Sequence, residues 1–229
     1  MPTENFLNYT ETDPNNVITV SATRVSWNDI TKNQDAYGYK DKGVGFFSGD
    51  YKHKFIMKHA VDTCESTSKV AVWALTNDID DLTGIGNASK SYEAIYLYRT
   101  GATYRIYLQI CEAGTLYSAN YTGLSINTEY YITAERDYGG GVNSKGRLTI
   151  YICTGGYHGE GGTDVSTLVV DHSANWTQSN GQWQYVFAVN TYNTNQTEKR
   201  DDYIENLDLG LGYRPLVGAT LADRQGGLI

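Results

Sequence analysis

The stretch YEAIYLYRTGATYRIYLQIC, residues 92–111, constrains the fold more than any other part of the sequence. Two runs in which apolar and polar residues alternate flank a turn at residues 99–102, and this pattern predicts a β-hairpin. Because side chains alternate between the two faces of a strand, one apolar set shares the core face: Ile95, Leu97, Ile106, Leu108 and Ile110. The chain therefore contains an antiparallel strand pair with one buried face.

The opposite face of this hairpin combines aromatic and polar side chains: Tyr96, Tyr98, Arg105, Tyr107 and Gln109. Tyrosine rings can stack on sugars, and arginine and glutamine can bind sugar hydroxyls. The same residue types are common in protein interfaces. Three interpretations stay open: a glycan site, a protein interface, or a face covered by the C-terminal segment.

A second strand pair is predicted at residues 129–137 and 146–154, joined by YGGGVNSK. Further strands are predicted at 16–27, 50–60, 69–76, 166–172, 182–192 and 201–210. The strand at 69–76 is apolar on both faces and should be central. A Tyr- and Gly-rich loop is expected before residue 50, and an irregular loop after residue 76. Besides the hairpin residues, the predicted core includes Trp73, Ile132, Leu148, Ile150 and Val186.

The composition supports an all-β chain that forms one domain. Its 20 Tyr, 24 Gly and only 3 Pro favour strands and turns over helices. No second core begins after the last predicted strand, so residues 1–210 are expected to form one sandwich. Residues 211–229 lose the alternation and are expected to form an extended C-terminal arm.

Charge and cysteine content exclude several classes of protein. The net charge of −8 and the lack of a concentrated basic surface argue against nucleic acid as a partner. No apolar stretch is long enough for a membrane span, and the first residues do not resemble a secretion signal. Cys64, Cys111 and Cys153 lack paired spacing and are expected to be reduced.

Three segments, EYYITAERDY, GRLTIYICTGG and DDYIENLDLG, occur in the order of matching strands in laminin G-like domains. By this order the chain resembles the concanavalin A-like superfamily of laminin G-like domains, legume lectins and family 16 glycoside hydrolases. The resemblance implies an antiparallel two-sheet jelly-roll sandwich, and it implies fold more than function. The opening YTETDPNNVITVSATRVSW also resembles proteins encoded by tailed phages.

The segment ERDYGGG places Glu135 and Asp137 on one face of a strand, as in the catalytic strand of family 16 hydrolases. Those enzymes need a further acid/base carboxylate, whereas Gly139 and Gly140 follow here. Arg136 lies between the two carboxylates and Arg147 is expected across the hairpin. We therefore expect an ion-pair ladder on the surface and no catalysis.

The acidic loop NDIDDLTG offers the candidate metal ligands Asp78, Asp80 and Asp81. Ca²⁺ takes six to eight oxygen ligands, which clustered carboxylates and loop carbonyls supply. The alternative is that these residues only form turns. No other cofactor is expected. The four histidines, His53, His59, His158 and His172, lack metal-ligand spacing and are expected to be ordinary surface residues.

The expected function is that of a non-enzymatic structural or surface-display subunit, most plausibly of a phage virion. Its partners are then other protein subunits, as in a homo-oligomer, with the arm docked on a neighbour. Its location is the surface of a particle assembled in the cytoplasm without a signal peptide. The alternatives are a carbohydrate-binding lectin module and an unusual polysaccharide hydrolase.

Overall fold

The computed structural model describes residues 3–28, 35–62, 67–192 and 200–210. They form two seven-stranded antiparallel sheets, which confirms the predicted sandwich. The strands are β1 Thr10–Thr12, β2 Ile18–Val20, β3 Arg24–Trp27, β4 Asp35–Asp41, β5 Tyr51–Asp62, β6 Thr67–Thr76, β7 Tyr92–Thr100, β8 Thr103–Glu112, β9 Thr115–Tyr121, β10 Glu129–Asp137, β11 Arg147–Thr154, β12 Thr163–Asp171, β13 Tyr185–Tyr192 and β14 Arg200–Asp208. Helix α1 spans Leu82–Asn87, and short 3₁₀ turns span Phe6–Asn8 and Gln178–Gly181.

The order of strands brings distant parts of the sequence together. Sheet A has the order β1-β4-β13-β6-β7-β8-β9, and sheet B has the order β12-β11-β10-β5-β14-β3-β2. Strand β6 occupies the middle of sheet A, as its apolar sequence predicted. Consecutive strands pair as hairpins in parts of each sheet. Other pairs join strands far apart in sequence: β13 pairs with β4 and β6, and β5 pairs with β10 and β14.

The predicted hairpin and its register are confirmed. Ile95 lies opposite Leu108 and Leu97 lies opposite Ile106, with Gly101 in the turn at φ +56°. That left-handed backbone conformation favours glycine. In the second predicted pair, Ile132 lies opposite Ile152.

Alternate residues of both sheets fill one core between them. All ten core residues predicted from the sequence are buried there, which confirms that part of the prediction: Trp73, Ile95, Leu97, Ile106, Leu108, Ile110, Ile132, Leu148, Ile150 and Val186. Burial of so much apolar surface is the main force holding the two sheets together.

Some predicted elements differ from the structure. The expected strand at 16–27 is two strands, β2 and β3, because a turn at Ser21 interrupts it: the Arg24 N–H donates to Ser21 Oγ over 3.0 Å. The Tyr- and Gly-rich loop expected before residue 50 contains β4. The expected irregular loop after residue 76 contains helix α1, whose first turn is capped by the Asp81 side chain.

Helix α1 closes a second, smaller core on the outer face of sheet A. Its Leu82 and Ile85 are buried against the sheet. The sheet positions below include Ala71, Ala74 and Ala94, which are fully buried. Such small side chains allow the helix to lie close to the strands.

Three further predictions concern the cysteines, the arm and membrane spans. Cys111 and Cys153 are free thiols, as expected, whereas Cys64 lies outside the described residues. The arm predicted at 211–229 also lies outside them. Within the described ranges, no helix has the length and apolar character that crossing a membrane requires.

Candidate functional site

The loop between β12 and β13, residues 172–184, carries two tryptophans in a polar sequence, HSANWTQSNGQWQ. The side chains of Trp176 and Trp183 are buried, and Trp183 forms an isolated β-bridge with Phe47. Burial of the two indoles pulls the loop onto the end of the sandwich. Asn175 and Asn180 remain exposed on its surface.

A buried network of charged groups lies beneath this loop. The carboxylate of Glu93, on β7, accepts a hydrogen bond from the Tyr51 hydroxyl. Its other oxygen lies 3.2 Å from His172 Nε2 and 3.7 Å from Arg136 Nε. Glu93, Arg136 and His172 are almost completely buried. The network therefore joins the two sheets at one end of the sandwich.

The same network fixes both ends of the loop. His172 Nδ1 lies 2.8 Å from Glu112 Oε1, and the His172 ring stacks on Trp176 with ring centroids 4.4 Å apart. At the other end, Arg136 Nη1 donates to the Gly181 carbonyl. A loop held by buried charged partners costs much more to displace than one held at the surface.

The neighbours of Glu93 keep its side chain ionised. Burial alone raises the pKa of a carboxyl, but Arg136, His172 and Tyr51 together lower the pKa of Glu93 below its usual value. Burial, and then Glu93, raise the pKa of the Tyr51 hydroxyl. The tyrosine therefore stays a hydrogen-bond donor to the carboxylate.

Two adjoining cavities of about 300 and 200 Å³ lie beside the loop, and Ala113 and Asn180 line both. We call them together the rim groove. Its lining residues come from three separate parts of the chain: Asn77, Asp78, Ser89, Lys90, Ser91, Glu112, Ala113, Thr115, Tyr117, Ser173, Asn175, Trp176, Asn180 and Trp183.

The lining of the rim groove is mostly uncharged and polar. Asn77 Oδ1 accepts from the Gln184 N–H over 2.9 Å, which leaves its amide nitrogen for another partner. Asp78 lies 3.7 Å from Lys90 Nζ. Amide and hydroxyl groups can both donate and accept hydrogen bonds. The groove therefore suits a neutral molecule with many hydroxyl groups.

The five residues predicted as a ligand face do share one face of sheet A, but they differ in exposure. Tyr96 and Gln109 are buried. Tyr98, Arg105 and Tyr107 are partly exposed, with the Tyr98 and Tyr107 rings 4.9 Å apart. Arg105 Nη1 donates to the Tyr107 hydroxyl over 3.2 Å. Only these three can contact a ligand without rearrangement, and their role in binding stays a prediction.

Contacts with Lys69 and Tyr92 explain why the rest of that face is closed. Lys69 Nζ lies 3.8 Å from the centre of the Tyr96 ring and donates to Gln109 Oε1 over 2.9 Å. The Tyr92 hydroxyl donates to the same oxygen over 3.0 Å. Burial lowers the pKa of Lys69 to about 8. These two bonds occupy Gln109 Oε1, and burial of the side chain keeps it out of reach of a sugar.

Two of the three aspartates predicted as metal ligands belong to a carboxylate cluster, and the third does not. Asp80 and Asp81 gather with Asp35, and the three place carboxylate oxygens within 4.8 Å of one another. Asp78 lies in the rim groove beside Lys90 instead. Burial, then Asp81 and Asp80, raise the pKa of Asp35 to about 6. Asp35 Oδ1 is buried without a hydrogen-bond partner in the described structure, so the cluster has the chemistry of a cation site.

The outer face of sheet B holds the predicted ion pairs with different partners. Glu135 pairs with Lys52 over 2.6 Å, and Arg147 pairs with Asp171 over 2.7 Å. The prediction that Arg136 neutralises its neighbours on this face is wrong, because alternation turns its side chain into the buried network. A cavity of about 320 Å³ lies beside Glu135 and Asp137.

The expectation that the histidines are surface residues is wrong for three of the four. His53, His59 and His172 are buried. Burial lowers the pKa of His53 to about 3, so this ring is neutral. His59 contacts the Asp202 carboxylate. His158 is partly exposed, and contrary to the spacing argument it lies close to two other potential metal ligands.

The residues of loop 172–184 were not predicted from the sequence to belong to a site. They follow no strand period, and residues 173–181 were assigned no role. Two tryptophans among asparagine, serine and glutamine were the available signal, since buried aromatic side chains beside exposed amides mark a loop that folds onto the core.

No family model matches the sequence, and no curated protein sequence matches it significantly. Solved structures do share the fold. The lectin UEA-II, in complex with galactose, has a TM-score of 0.54 at 9% identity over 90% of this chain and 97% of its own. The exoplasmic/lumenal domain of VIP36 with Ca²⁺ and mannose has a TM-score of 0.55 at 11% identity over 95% of this chain and 85% of its own.

A phage protein also shares the fold. Tailspike protein 2 of an Escherichia coli O157:H7 bacteriophage has a TM-score of 0.50 at 10% identity. The alignment covers 89% of this chain but 26% of the tailspike. At such identities the likeness concerns the fold alone, a two-sheet antiparallel jelly-roll sandwich that these lectins also have.

Proposed function

We propose that this chain is a non-catalytic carbohydrate-binding module of the lectin type and that the rim groove is its sugar site. The observation that carries the proposal is the groove itself, with two tryptophans and a largely uncharged rim of amides and hydroxyls. The lectin fold, found in structures that contain galactose or mannose, supports it.

The chemistry of the groove matches the surface of a sugar. Hydroxyl groups need partners that donate and accept, and the Asn175 and Asn180 amides offer both. Tyr117, which is partly exposed, supplies apolar surface for the C–H face of a ring, and the buried Trp176 and Trp183 support the floor of the groove. The two cavities, of about 300 and 200 Å³, have room for one or two sugar units.

Calcium is part of this proposal because one loop serves both sites. Asp35, Asp80 and Asp81 would hold the ion, and residues 77–81 also bring Asn77 and Asp78 to the groove. An ion would remove the repulsion among the three carboxylates and fix this loop. Ca²⁺ should therefore raise the thermal stability of the chain and strengthen sugar binding, and Asp35→Asn should abolish both effects.

A glycan array followed by titration with the best binder tests the sugar site. Replacing one hydrogen-bonding amide should weaken binding about 3–10-fold, the equivalent of about 0.5–1.5 kcal/mol. Asn180→Ala and Asn175→Ala should show this loss, whereas Tyr107→Ala on the outer face of sheet A should not. The reverse result would assign the site to the tyrosine face, and absence of all glycan binding would refute the proposal.

The absence of catalysis is tested separately. Glu135 is paired with Lys52, and the chemistry of a retaining hydrolase requires two free carboxyl groups on either side of the bond. Release of reducing ends from a panel of polysaccharides should stay at background. Turnover that disappears in Glu135→Gln would show that the outer face of sheet B is catalytic.

We further propose that the module is displayed on a phage particle, outside the cell, as a structural subunit. The shared fold with part of a tailspike and the apolar sequence of residues 211–229 support this role. Light scattering of the full chain beside a chain ending at Gly210 tests it. A full-length oligomer that becomes monomeric on truncation is expected, and two monomers of equal stability would contradict it.

A further inference from the structure

Three side chains with different donor atoms meet where β11 passes into β12. Cys153 Sγ lies 2.9 Å from Asp164 Oδ1, and His158 Nδ1 lies 2.8 Å from Asp164 Oδ2. All three residues have a donor atom within 4.8 Å of the others. We propose that Cys153, His158 and Asp164 form a binding site for a divalent transition metal of the Zn²⁺ type.

A β-bulge brings two of the ligands to the same face. Ile152 pairs with Ser166, but the next residue, Cys153, pairs with Asp164, so Val165 is an extra residue on β12. Such a bulge rotates the following side chain relative to the regular alternation. Asp164 therefore stands directly opposite Cys153, where regular pairing would have placed Val165.

The glycine-rich loop 155–162 returns the third ligand to this point. Gly155, Gly159 and Gly161 have φ values of +73°, +72° and +92°, which other residues rarely adopt. The His158 ring then stacks on Tyr151, with centroids 3.8 Å apart and planes inclined by 7°. This stacking holds the imidazole with Nδ1 beside the Asp164 carboxylate.

The donor set selects the class of metal. Thiolate, imidazole and carboxylate together suit Zn²⁺ and its neighbours, whereas Ca²⁺ and Mg²⁺ prefer oxygen alone. Three protein ligands leave a fourth tetrahedral position for water. His158 and Asp164 have side chains that are 34% and 47% exposed, so an ion can enter from solvent, while Cys153 forms the buried end.

The geometry requires only a small opening. Zinc bonds of about 2.0–2.3 Å place tetrahedral donor atoms about 3.3–3.7 Å apart. The present separations of 2.8–2.9 Å are those of hydrogen bonds, with the Cys153 thiol donating to Asp164. The metal would replace the thiol proton, which leaves as the ligand binds. The three glycines allow loop 155–162 to move far enough to widen these separations to those of a zinc site.

The site is distinct from the proposed sugar site. Loop 155–162 precedes β12 and loop 172–184 follows it, so the two sites lie at opposite ends of that strand. A bound metal would fasten loop 155–162 onto the outer face of sheet B. There Tyr157 already packs against Tyr131, and Glu160 pairs with Lys54.

Titration of the full chain with Co²⁺ tests the proposal, because a tetrahedral cobalt–thiolate site has a charge-transfer band and strong visible absorption. Both should appear in the wild type and disappear on addition of Zn²⁺, whereas Ca²⁺ should not displace the cobalt. His158→Gln and Asp164→Asn change exposed ligands. Each should weaken binding by more than the roughly 10–100-fold that loss of an outer-shell partner costs.

Cys153→Ser should abolish the charge-transfer band. Two matched controls should retain it: Cys111→Ser, which removes a buried thiol of sheet A, and Glu160→Gln, which removes another acidic group of the same loop. Circular dichroism checks that each variant is folded. Absence of the band in the wild type, or its persistence in Cys153→Ser, would overturn the assignment.

Discussion

Loop 155–162 and loop 172–184 leave opposite ends of strand β12, and different forces hold them. The second loop is fixed from below by Glu93, Arg136 and His172, which are buried between the sheets. The first is held on the outer face of sheet B by contacts with one exposed partner, such as the exposed Glu160 carboxylate with Lys54. A long loop can therefore be a fixed part of the core when its partners are buried.

The largest expected difference in stability comes from removing one carboxylate that holds each loop. Glu93→Gln leaves the buried Arg136 guanidinium without its counter-charge and should lower the free energy of unfolding by about 3–5 kcal/mol. Glu160→Gln should lower it by at most about 1 kcal/mol, because the Glu160 carboxylate is 53% exposed and water can solvate it. Urea denaturation of both variants measures this. Equal losses would show that the buried network does not hold loop 172–184.

The acid limit of folding should depend on the same network. The pKa of Glu93 falls from 4.5 to about 2 on folding, despite burial, because of Arg136, His172 and Tyr51. A depressed pKa stabilises the folded state above the unfolded value, and this contribution is lost as pH falls through the folded value. The wild type should therefore lose its advantage over Glu93→Gln between about pH 4.5 and 2. If the free energies of unfolding of the two proteins changed in parallel over this pH range, this expectation would be contradicted.

One substitution made in both loops gives a smaller contrast. A Cβ at Gly181 would lie 2.3 Å from Arg136 Nη2, so Gly181→Ala should cost about 1–3 kcal/mol through overpacking. A Cβ at Gly155 would meet nothing within 4 Å, and only its φ of +73° is unfavourable. Gly155→Ala should then cost about 1–2 kcal/mol. Thermal denaturation compares them; a larger loss at Gly155 would reverse the order.

The smallest effect is expected for the surface contact itself. A double-mutant cycle on Lys54 and Glu160 should give a coupling free energy of about 0.2–1 kcal/mol, which falls as salt is added. A larger coupling would mean that the buried Lys54 holds loop 155–162 as strongly as a fully buried ion pair would. The distinction between the two loops would then disappear.

The alternation of apolar and polar residues predicted those parts of the fold that depend on neighbouring sequence, such as hairpin register and core-facing positions. The register of β7 and β8 follows from residues 92–111 alone, because the turn and the period agree. The same reasoning assigned Tyr96 and Tyr98 to one face but could not show that helix α1 covers only the first of them. What lies over a face depends on segments far away in sequence.

The rim groove and the buried network could not be predicted for the same reason. Glu93, Arg136 and His172 come from β7, from β10 and from the loop after β12, and only the strand order brings them together. Each looks like an ordinary polar residue in its own segment. His172 was assigned to the surface because isolated histidines without metal-ligand spacing usually lie there, although this one is buried.

The position of strand β5 in the middle of sheet B affects how the chain folds during synthesis. β5 lies between β10 and β14, and β4 in sheet A pairs with β13. These strands near the N-terminus therefore cannot complete their pairing until strands near the C-terminus have been synthesised. At about 5–20 residues per second, translation from β4 to β13 takes on the order of ten seconds. During that interval β4 and β5 have open edges that can pair with other chains. A nascent chain stalled before β13 is therefore the form most exposed to aggregation, and the form that a chaperone has to protect.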